Sequence, residues 1–387
     1  MEKASTASKY RCPPGANKPR PPDLSEPAFS AISYIPPPSN DPDGRALPSP
    51  VPHQDSLRQA GTIFTSQCPR FLYSAARFLN IPLNTHTPEI CFLGRSNVGK
   101  STLINALAGV DANMARKAHG LKARGMGLAI TSQFAGSTKC MNAYGFGPPS
   151  KAQRLAALAR AKDVKKGMDT AVSRAERRAA SHSKEAPPQH RLIMVDMPGY
   201  GLNSEALWGL EIGKYLAKRQ VLKGAVLLID AVAGVMAADR LVLEMLRDAE
   251  VRTAVVLTKV DKLSRERQEG RAQSRVDQVC KEVWDELREV EKGGMTWLEG
   301  SEKGWQNEIW VTSAGDPTAN GDGVGVTGAR WSICRMAGLV EDSRVLKNSS
   351  PEHKRLWAPK IVSFDELQRV AASAERKPRT KSLKASF

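Results

Sequence analysis

The chain has 387 residues, 57 Lys and Arg against 40 Asp and Glu, a formal net charge of +17, and 41% hydrophobic residues. That length accommodates one large domain or two ordinary ones around a sizeable core. No uninterrupted apolar run reaches the ~18–20 residues of a membrane span; the best stretch, 224–238, is broken by Asp230, so no transmembrane segment is expected.

Six cysteines (Cys12, Cys68, Cys91, Cys140, Cys280 and Cys334) include no CxxC pair. They suit a reducing compartment and offer neither a zinc spacing nor a disulfide framework. Glu2 forbids N-myristoylation, and the terminal Lys-Ala-Ser-Phe offers no cysteine to prenylate, so no lipid anchor is expected.

Thirteen of the 25 prolines lie between Pro13 and Pro52, which predicts an extended, mostly unfolded leader over 1–58. Its first twenty residues carry Lys3, Lys9, Arg11, Lys18 and Arg20 against Glu2 alone. That pattern resembles a transit peptide and points to the mitochondrial matrix, although Pro13, Pro14 and Pro19 interrupt the amphipathic helix such peptides form. Cytoplasmic and nuclear locations remain as alternatives.

Next comes a short apolar run, Ile90 to Leu93, followed by Gly94-Arg95-Ser96-Asn97-Val98-Gly99-Lys100-Ser101 and a helical pattern from Thr102 to Leu107. This is the strand, loop and helix context of a GxxxxGK[ST] phosphate-binding loop. Glycines let backbone amides turn inward around phosphates, and the helix N-terminus adds its positive end. Lys100 is placed to reach the β- and γ-phosphates and Ser101 to hold Mg²⁺.

Four further apolar runs follow. Leu192 to Val195 ends in Asp196-Met197-Pro198-Gly199, where the acid can hold Mg²⁺ and the glycine can offer its amide to a γ-phosphate. Ala225 to Ile229 ends in Asp230, and Val251 to Leu257 delivers Thr258-Lys259-Val260-Asp261. Asp261 can accept from both guanine ring and exocyclic nitrogens, while the stem of Lys259 lies along the base. Ile309 to Val311 leads into Thr312-Ser313-Ala314, whose amides can meet the guanine oxygen. Each motif sits at the carboxyl end of a predicted strand, where open α/β sheets bind ligands. The expected fold is therefore an α/β P-loop NTPase, a mostly parallel sheet with helices on both faces, and the expected ligands are GTP and GDP. Between Ser101 and Asp196, Thr138 is the candidate γ-phosphate and Mg²⁺ sensor, with Thr131 as its competitor.

Charge concentrates in three places. Residues 150–190 carry ten Lys/Arg and four Asp/Glu, residues 111–130 carry Arg116, Lys117, Lys122 and Arg124 against Asp111, and the last twelve residues hold five cations and no acid. A polyanion such as RNA is the expected partner. Residues 151–181 read as a thin-striped helix that orders on a partner, and 266–291 as an ordinary amphipathic helix of the domain.

Taken together these motifs resemble the EngB (YihA) family of ribosome-assembly GTPases within the TRAFAC class. The resemblance rests on Pro88-Glu89-Ile90, the run from Gly94 to Leu107, Gly136 with Thr138, Val195 to Gly201, Tyr215-Leu216 with Arg219, and Leu257 to Leu263. It covers about residues 60 to 345, so the domain is expected at 59–345, with insertions near 111–131 and 148–190 and a basic extension at 346–387. Ala135 and Ser137 depart from the family pattern before Thr138, and Gly94 and Asp196 stand 102 positions apart (196 − 94), roughly twice the compact spacing. The resemblance implies nucleotide binding through residues 94–102 (Gly94 to Thr102), Asp196, Gly199, Thr258, Lys259, Asp261, Ser313 and Ala314. It also implies Lys100, Thr138 and Gly199 as catalytic residues and Ser101, Thr138 and Asp196 as Mg²⁺ residues. Asn97 stands where potassium-using relatives ligate K⁺, so K⁺ is a second candidate ion. The implied partner is the large ribosomal subunit or its rRNA. Tyr200 replaces the water-orienting glutamine of Ras-like enzymes, which predicts slow intrinsic hydrolysis; a nucleotide-gated RNA- or ribosome-binding module with little turnover is the alternative.

Overall fold

The computed structural model describes residues 33–35, 47–48, 52–109, 140–170, 188–200, 206–264, 271–314, 323–342 and 344. Thr138, with Gly136, Ser137 and Thr131, lies outside them, as do most of the leader, the 111–131 insertion, the second half of the 148–190 insertion and the basic tail.

The described strands are β1 Ser33–Ile35, β2 Leu47–Pro48, β3 Arg70–Ala75, β4 Glu89–Gly94, β5 Met141–Phe146, β6 Leu192–Asp196, β7 Leu222–Asp230, β8 Thr253–Thr258 and β9 Trp305–Val311. They form one sheet in the order β2-β1-β9-β8-β7-β4-β6-β5-β3. The five strands from β9 to β6 are mutually parallel. Antiparallel β5 and β3 extend one side, and β1 with β2 the other.

The parallel strands read as near-continuous apolar runs because both of their faces are covered. The helices are α1 Gln54–Thr65, α2 Lys100–Leu107, α3 Lys151–Thr170, α4 Ala206–Lys218, α5 Ala237–Asp248, α6 Val260–Ser264, α7 Arg271–Glu291 and α8 Val326–Met336. Successive strand residues point to opposite faces. Cys91, Leu93, Leu227 and Ile229 accordingly join Tyr215 of α4, Leu243 of α5 and Trp284 of α7. Ile90, Phe92, Val226 and Leu228 join Phe64 of α1, Leu103 of α2 and Trp331 of α8. This is the expected doubly covered sheet.

At the N-terminal end of β4, Glu89 accepts from Arg219 Nη2 at 2.7 Å, Arg219 Nε at 2.9 Å and the Tyr215 hydroxyl at 2.7 Å. Such a buried carboxylate is tolerated because its oxygens are met by a bidentate guanidinium and a phenol. The pair anchors α4 behind the strand that carries the phosphate-binding loop.

Two expectations need correction, and two strands were unforeseen. The leader is not uniformly unstructured: β1 pairs with β9 through Ser33↔Trp310 and Tyr34↔Ile309, and α1 starts at Gln54, inside the range read as leader. Proline content hid this because Tyr34, a single aromatic, supplies the docking; it is 7% exposed and meets the Trp284 ring edge-on at 6.4 Å. Strands β3 and β5 were not expected either; Arg70-Phe71-Leu72-Tyr73-Ser74-Ala75 and Met141-Asn142-Ala143-Tyr144-Gly145-Phe146 are short and show no clean alternation of apolar and polar residues. Cys68 is disulfide-bonded, whereas Cys91, Cys140, Cys280 and Cys334 are free thiols.

The predicted amphipathic helix at 266–291 is α7, with Val279, Cys280, Val283 and Trp284 all buried. The 151–181 segment begins as α3, capped reciprocally: Ser150 N donates to Gln153 Oε1 at 2.8 Å and Gln153 N to Ser150 Oγ at 3.1 Å. That S-x-x-Q box satisfies two donors at the helix start. Leu155 and Leu158 of α3 are largely exposed. No helix among the described residues is long and apolar enough to cross a membrane.

Candidate functional site

Every described candidate residue lies at the carboxyl end of the parallel strands. Gly94 closes β4, and a Cβ there would sit 2.7 Å from Val98 Cγ1 and 3.1 Å from the Leu228 carbonyl, so only glycine permits the turn. Asn97 (φ 63°) and Gly99 (φ 109°) take left-handed backbone, which bends the chain into the start of α2. Lys100 is buried, and its ammonium donates to the carbonyls of Gly94 at 3.0 Å and Arg95 at 3.2 Å. Burial lowers its pKa and the nearby Asp196 opposes that shift. Ser101 and Thr102 follow in the first turn of α2.

Asp196 ends β6, beside Phe92 of β4. It is 1% exposed, and desolvation pushes its carboxyl up to about 6, against the opposing pull of Lys100 and a hydrogen bond from Ser101. Its Oδ1 is buried with no hydrogen-bond partner. An orphaned carboxylate oxygen next to a serine hydroxyl is a donor set that fits a hard divalent cation. Ser101 and Asp196 are therefore the described residues that can hold Mg²⁺.

The segment after Asp196 lies against the phosphate-binding loop. Ser96 N donates to the Tyr200 carbonyl at 3.0 Å, and Arg95 and Tyr200 form a parallel bridge. A Cβ on Gly199 would come within 2.9 Å of Ser96 Oγ and 3.0 Å of Ser96 N, so glycine is required for this approach. Sequence reasoning missed what fastens the segment. The Tyr200 hydroxyl donates to Asp239 Oδ1 at 2.8 Å, and Asp239 Oδ2 faces Arg95 Nε at 3.2 Å. Burial, then the Asp239 carboxylate, raise the Tyr200 pKa well above 10, so the phenol stays a donor. Nothing in the sequence around Asp239 announces this, because its partners lie in two other loops.

The base-side motifs are assembled independently of the phosphate side but tied to it. Thr258 Oγ1 donates to the Val98 carbonyl at 2.6 Å. Lys259 (φ 61°) pairs through Nζ with Asp230 Oδ2 at 2.6 Å, which lays its stem across the ends of β7 and β8. Ser313 Oγ donates to Asp261 Oδ1 at 2.8 Å, and Ser313 and Ala314 follow β9 directly. One end of the sheet thus presents amide donors and a lysine for phosphates, an acid and a hydroxyl for a cation, and a carboxylate for a ring with two adjacent N–H groups. Thr138 lies outside the described residues and is not placed by this geometry.

By sequence the chain is similar to GTP-binding proteins. Residues 89–259 match the family described as 50S ribosome-binding GTPase. A probable GTP-binding protein EngB of Roseobacter denitrificans is 31% identical over 231 residues, 58% of this chain and 80% of the relative. Another, from Desulforamulus reducens, is 32% identical over 201 residues, 49% of this chain and 71% of the relative. Among solved structures, a probable GTP-binding protein engB aligns at 18% identity with a TM-score of 0.33, over 65% of this chain and 98% of that one.

Proposed function

The chain belongs to the EngB family of GTP-binding proteins, and from that premise we propose that it hydrolyses GTP to GDP and phosphate as a switch in assembly of the large ribosomal subunit, in mitochondria. The observation that carries the nucleotide reading is the meeting of three separate motifs at one sheet end, with Thr258 joined to Val98 across the phosphate and base halves. The amides of residues 94–99, Lys100 and the α2 N-terminus hold the phosphates, Gly199 senses the γ-phosphate, and Asp261 with Lys259, Ser313 and Ala314 reads guanine.

Ser101 and Asp196 would hold Mg²⁺, whose charge would offset that of the phosphates. Thr138 would be the third residue to hold the ion in this reading. Asn97 extends it to K⁺; equal hydrolysis rates in K⁺ and Na⁺ would remove the monovalent ion. Support for the ribosomal partner comes from the 50S-binding description of the matched family and from the +17 charge.

A second reading, a nucleotide-gated ribosome-binding module with little turnover, is favoured by one contact. The Tyr200 hydroxyl, at the position of a water-orienting glutamine, is committed to Asp239. Sucrose-gradient sedimentation of the tagged protein from isolated mitochondria, with GDP and with a non-hydrolysable GTP analogue, tests the proposal. Co-migration with the large subunit in the analogue alone is the expected result. Protein at the top of the gradient in both nucleotides overturns the ribosomal switch, and absence from mitochondria overturns the location. Single-turnover hydrolysis on purified large subunits separates the two readings.

A further inference from the structure

We propose that Asp239 is a positioning residue for the GTP reaction: it clasps Arg95 and Tyr200 together and so holds the Gly199 amide over the phosphate-binding loop. The inference rests on the nucleotide reading above and adds a residue outside the GTPase motifs.

Asp239 is wholly buried in the first turn of α5. One oxygen takes the Tyr200 hydroxyl at 2.8 Å; the other takes Met236 N at 3.0 Å and lies 3.2 Å from Arg95 Nε. Arg95 is further fixed through Nη2 to the Gly234 carbonyl at 3.2 Å, in the turn before α5. Capping α5 explains only the Met236 contact. The other two run outward, to the second residue of the phosphate-binding loop and to the residue immediately after Gly199. These are the same two residues whose backbones form a parallel bridge, reinforced by the Ser96 N to Tyr200 carbonyl bond. Backbone and side chain together make a closed ring: Arg95, Asp239, Tyr200 and back to Arg95.

A buried carboxylate whose desolvation is met by a guanidinium and a phenol defines one geometry, because losing the guanidinium leaves the charge unpaired and losing the phenol leaves one oxygen without a donor. The consequence falls on Gly199, one residue from Tyr200 and so close to Ser96 that a Cβ there would lie 2.9 Å from its Oγ. GDP has no γ-phosphate for the Gly199 amide, whereas GTP does. A looser clasp lowers the fraction of molecules with that amide in place, and apparent GTP affinity falls by the same fraction while GDP affinity does not.

Y200F tests this in the full-length chain. It removes one hydroxyl and leaves Asp239 free to cap α5. Titration with fluorescent GDP and with a fluorescent non-hydrolysable GTP analogue, together with single-turnover hydrolysis, gives the readouts. The expected result is GDP affinity within about twofold of wild type and GTP-analogue affinity weaker by about fivefold, the effect of one net hydrogen bond, with a parallel loss in the hydrolysis rate. D239N serves as the second variant, with its melting temperature recorded to separate loss of the helix cap; it is expected to show the same selective loss. Unchanged discrimination between the two nucleotides in Y200F overturns the clasp, and so does an equal fall for both, which would mark a purely structural role. Wild-type protein that binds neither nucleotide overturns the GTPase reading and the clasp together, which distinguishes it from failure of the clasp alone.

Discussion

Ser313 Oγ donates to Asp261 Oδ1 at 2.8 Å, joining the loop after β9 to the start of α6. One carboxylate oxygen is thereby pinned, and the group is oriented through a bond that spans 52 positions of sequence. The pairing explains why two short motifs of little individual specificity act as one base-reading unit.

Base selectivity should follow Asp261. Asp261→Asn replaces one acceptor with a donor, which suits the extra carbonyl of xanthine better than the amino group of guanine. GTP affinity is expected to fall at least about 100-fold, as for a site left with an unpaired polar group, with xanthosine triphosphate competing better than GTP. Competition binding with the two triphosphates checks it. Ser313→Ala should be milder, about fivefold weaker for GTP.

Removing the buried acid at the cation site should separate stability from function. Asp196 is ionised at neutral pH although desolvation holds its pKa at about 6, above the ordinary 3.8. A raised carboxylate pKa destabilises the fold as pH climbs from 3.8 towards 6, and the loss then stays constant. Asp196→Asn removes this ionisation, so nucleotide-free protein should lose the fall in stability between about pH 4 and 6. The same variant should lose the increase in melting temperature that Mg²⁺ with GTP gives wild type. Differential scanning fluorimetry with and without Mg²⁺ measures both.

His190 gives the fold a pH dependence of the opposite sign. Its ring is buried with neither nitrogen hydrogen-bonded, and desolvation, assisted by Arg70, lowers its pKa below 6.5. The unfolded chain then binds a proton more readily, so stability falls as pH drops through 6.5 and continues to fall until the folded pKa is passed. His190→Phe should flatten that slope between pH 7 and 5 in urea titrations. Gly145→Ala, whose Cβ would lie 2.3 Å from the His190 ring, should destabilise by roughly 1–3 kcal/mol.

Tyr34 should behave as a core residue despite its place in a proline-rich segment. Tyr34→Ala removes the buried ring against Trp284 and is expected to lower stability by about 2–3 kcal/mol. Urea unfolding followed by tryptophan fluorescence checks it, and an unchanged midpoint would mean that β1 does not contribute to the folded domain.

The readable parts of this protein were local. Phosphate binding needs particular residues at fixed spacing, so residues 94–101 announce their loop, and apolar runs ending in Asp196, Asp230 and Thr258 announce strand ends. What was illegible depends on contacts between distant segments. Asp239 stands 39 positions from Tyr200 and in sequence is one more acid near a helix start. Strand β5 hid because Gly145 is there to receive the His190 ring, a reason that exists only once β5 lies beside it. Docking of β1 depends on one aromatic finding a tryptophan 250 positions away (284 − 34).

The placement of β1 has a consequence for what the leader does. Without it, the stretch of β9 around Ile309 and Trp310 would be an open edge, a template for another chain. The leader lays its own strand there, and the next strand, β2, ends at Pro48, which has no N–H with which to recruit a further partner. The segment thus covers part of that edge. If the first residues also serve as an import address, processing that spares Ser33 to Pro48 keeps β1 in the sheet, and a cut past Pro48 leaves Ile309 and Trp310 at an open edge.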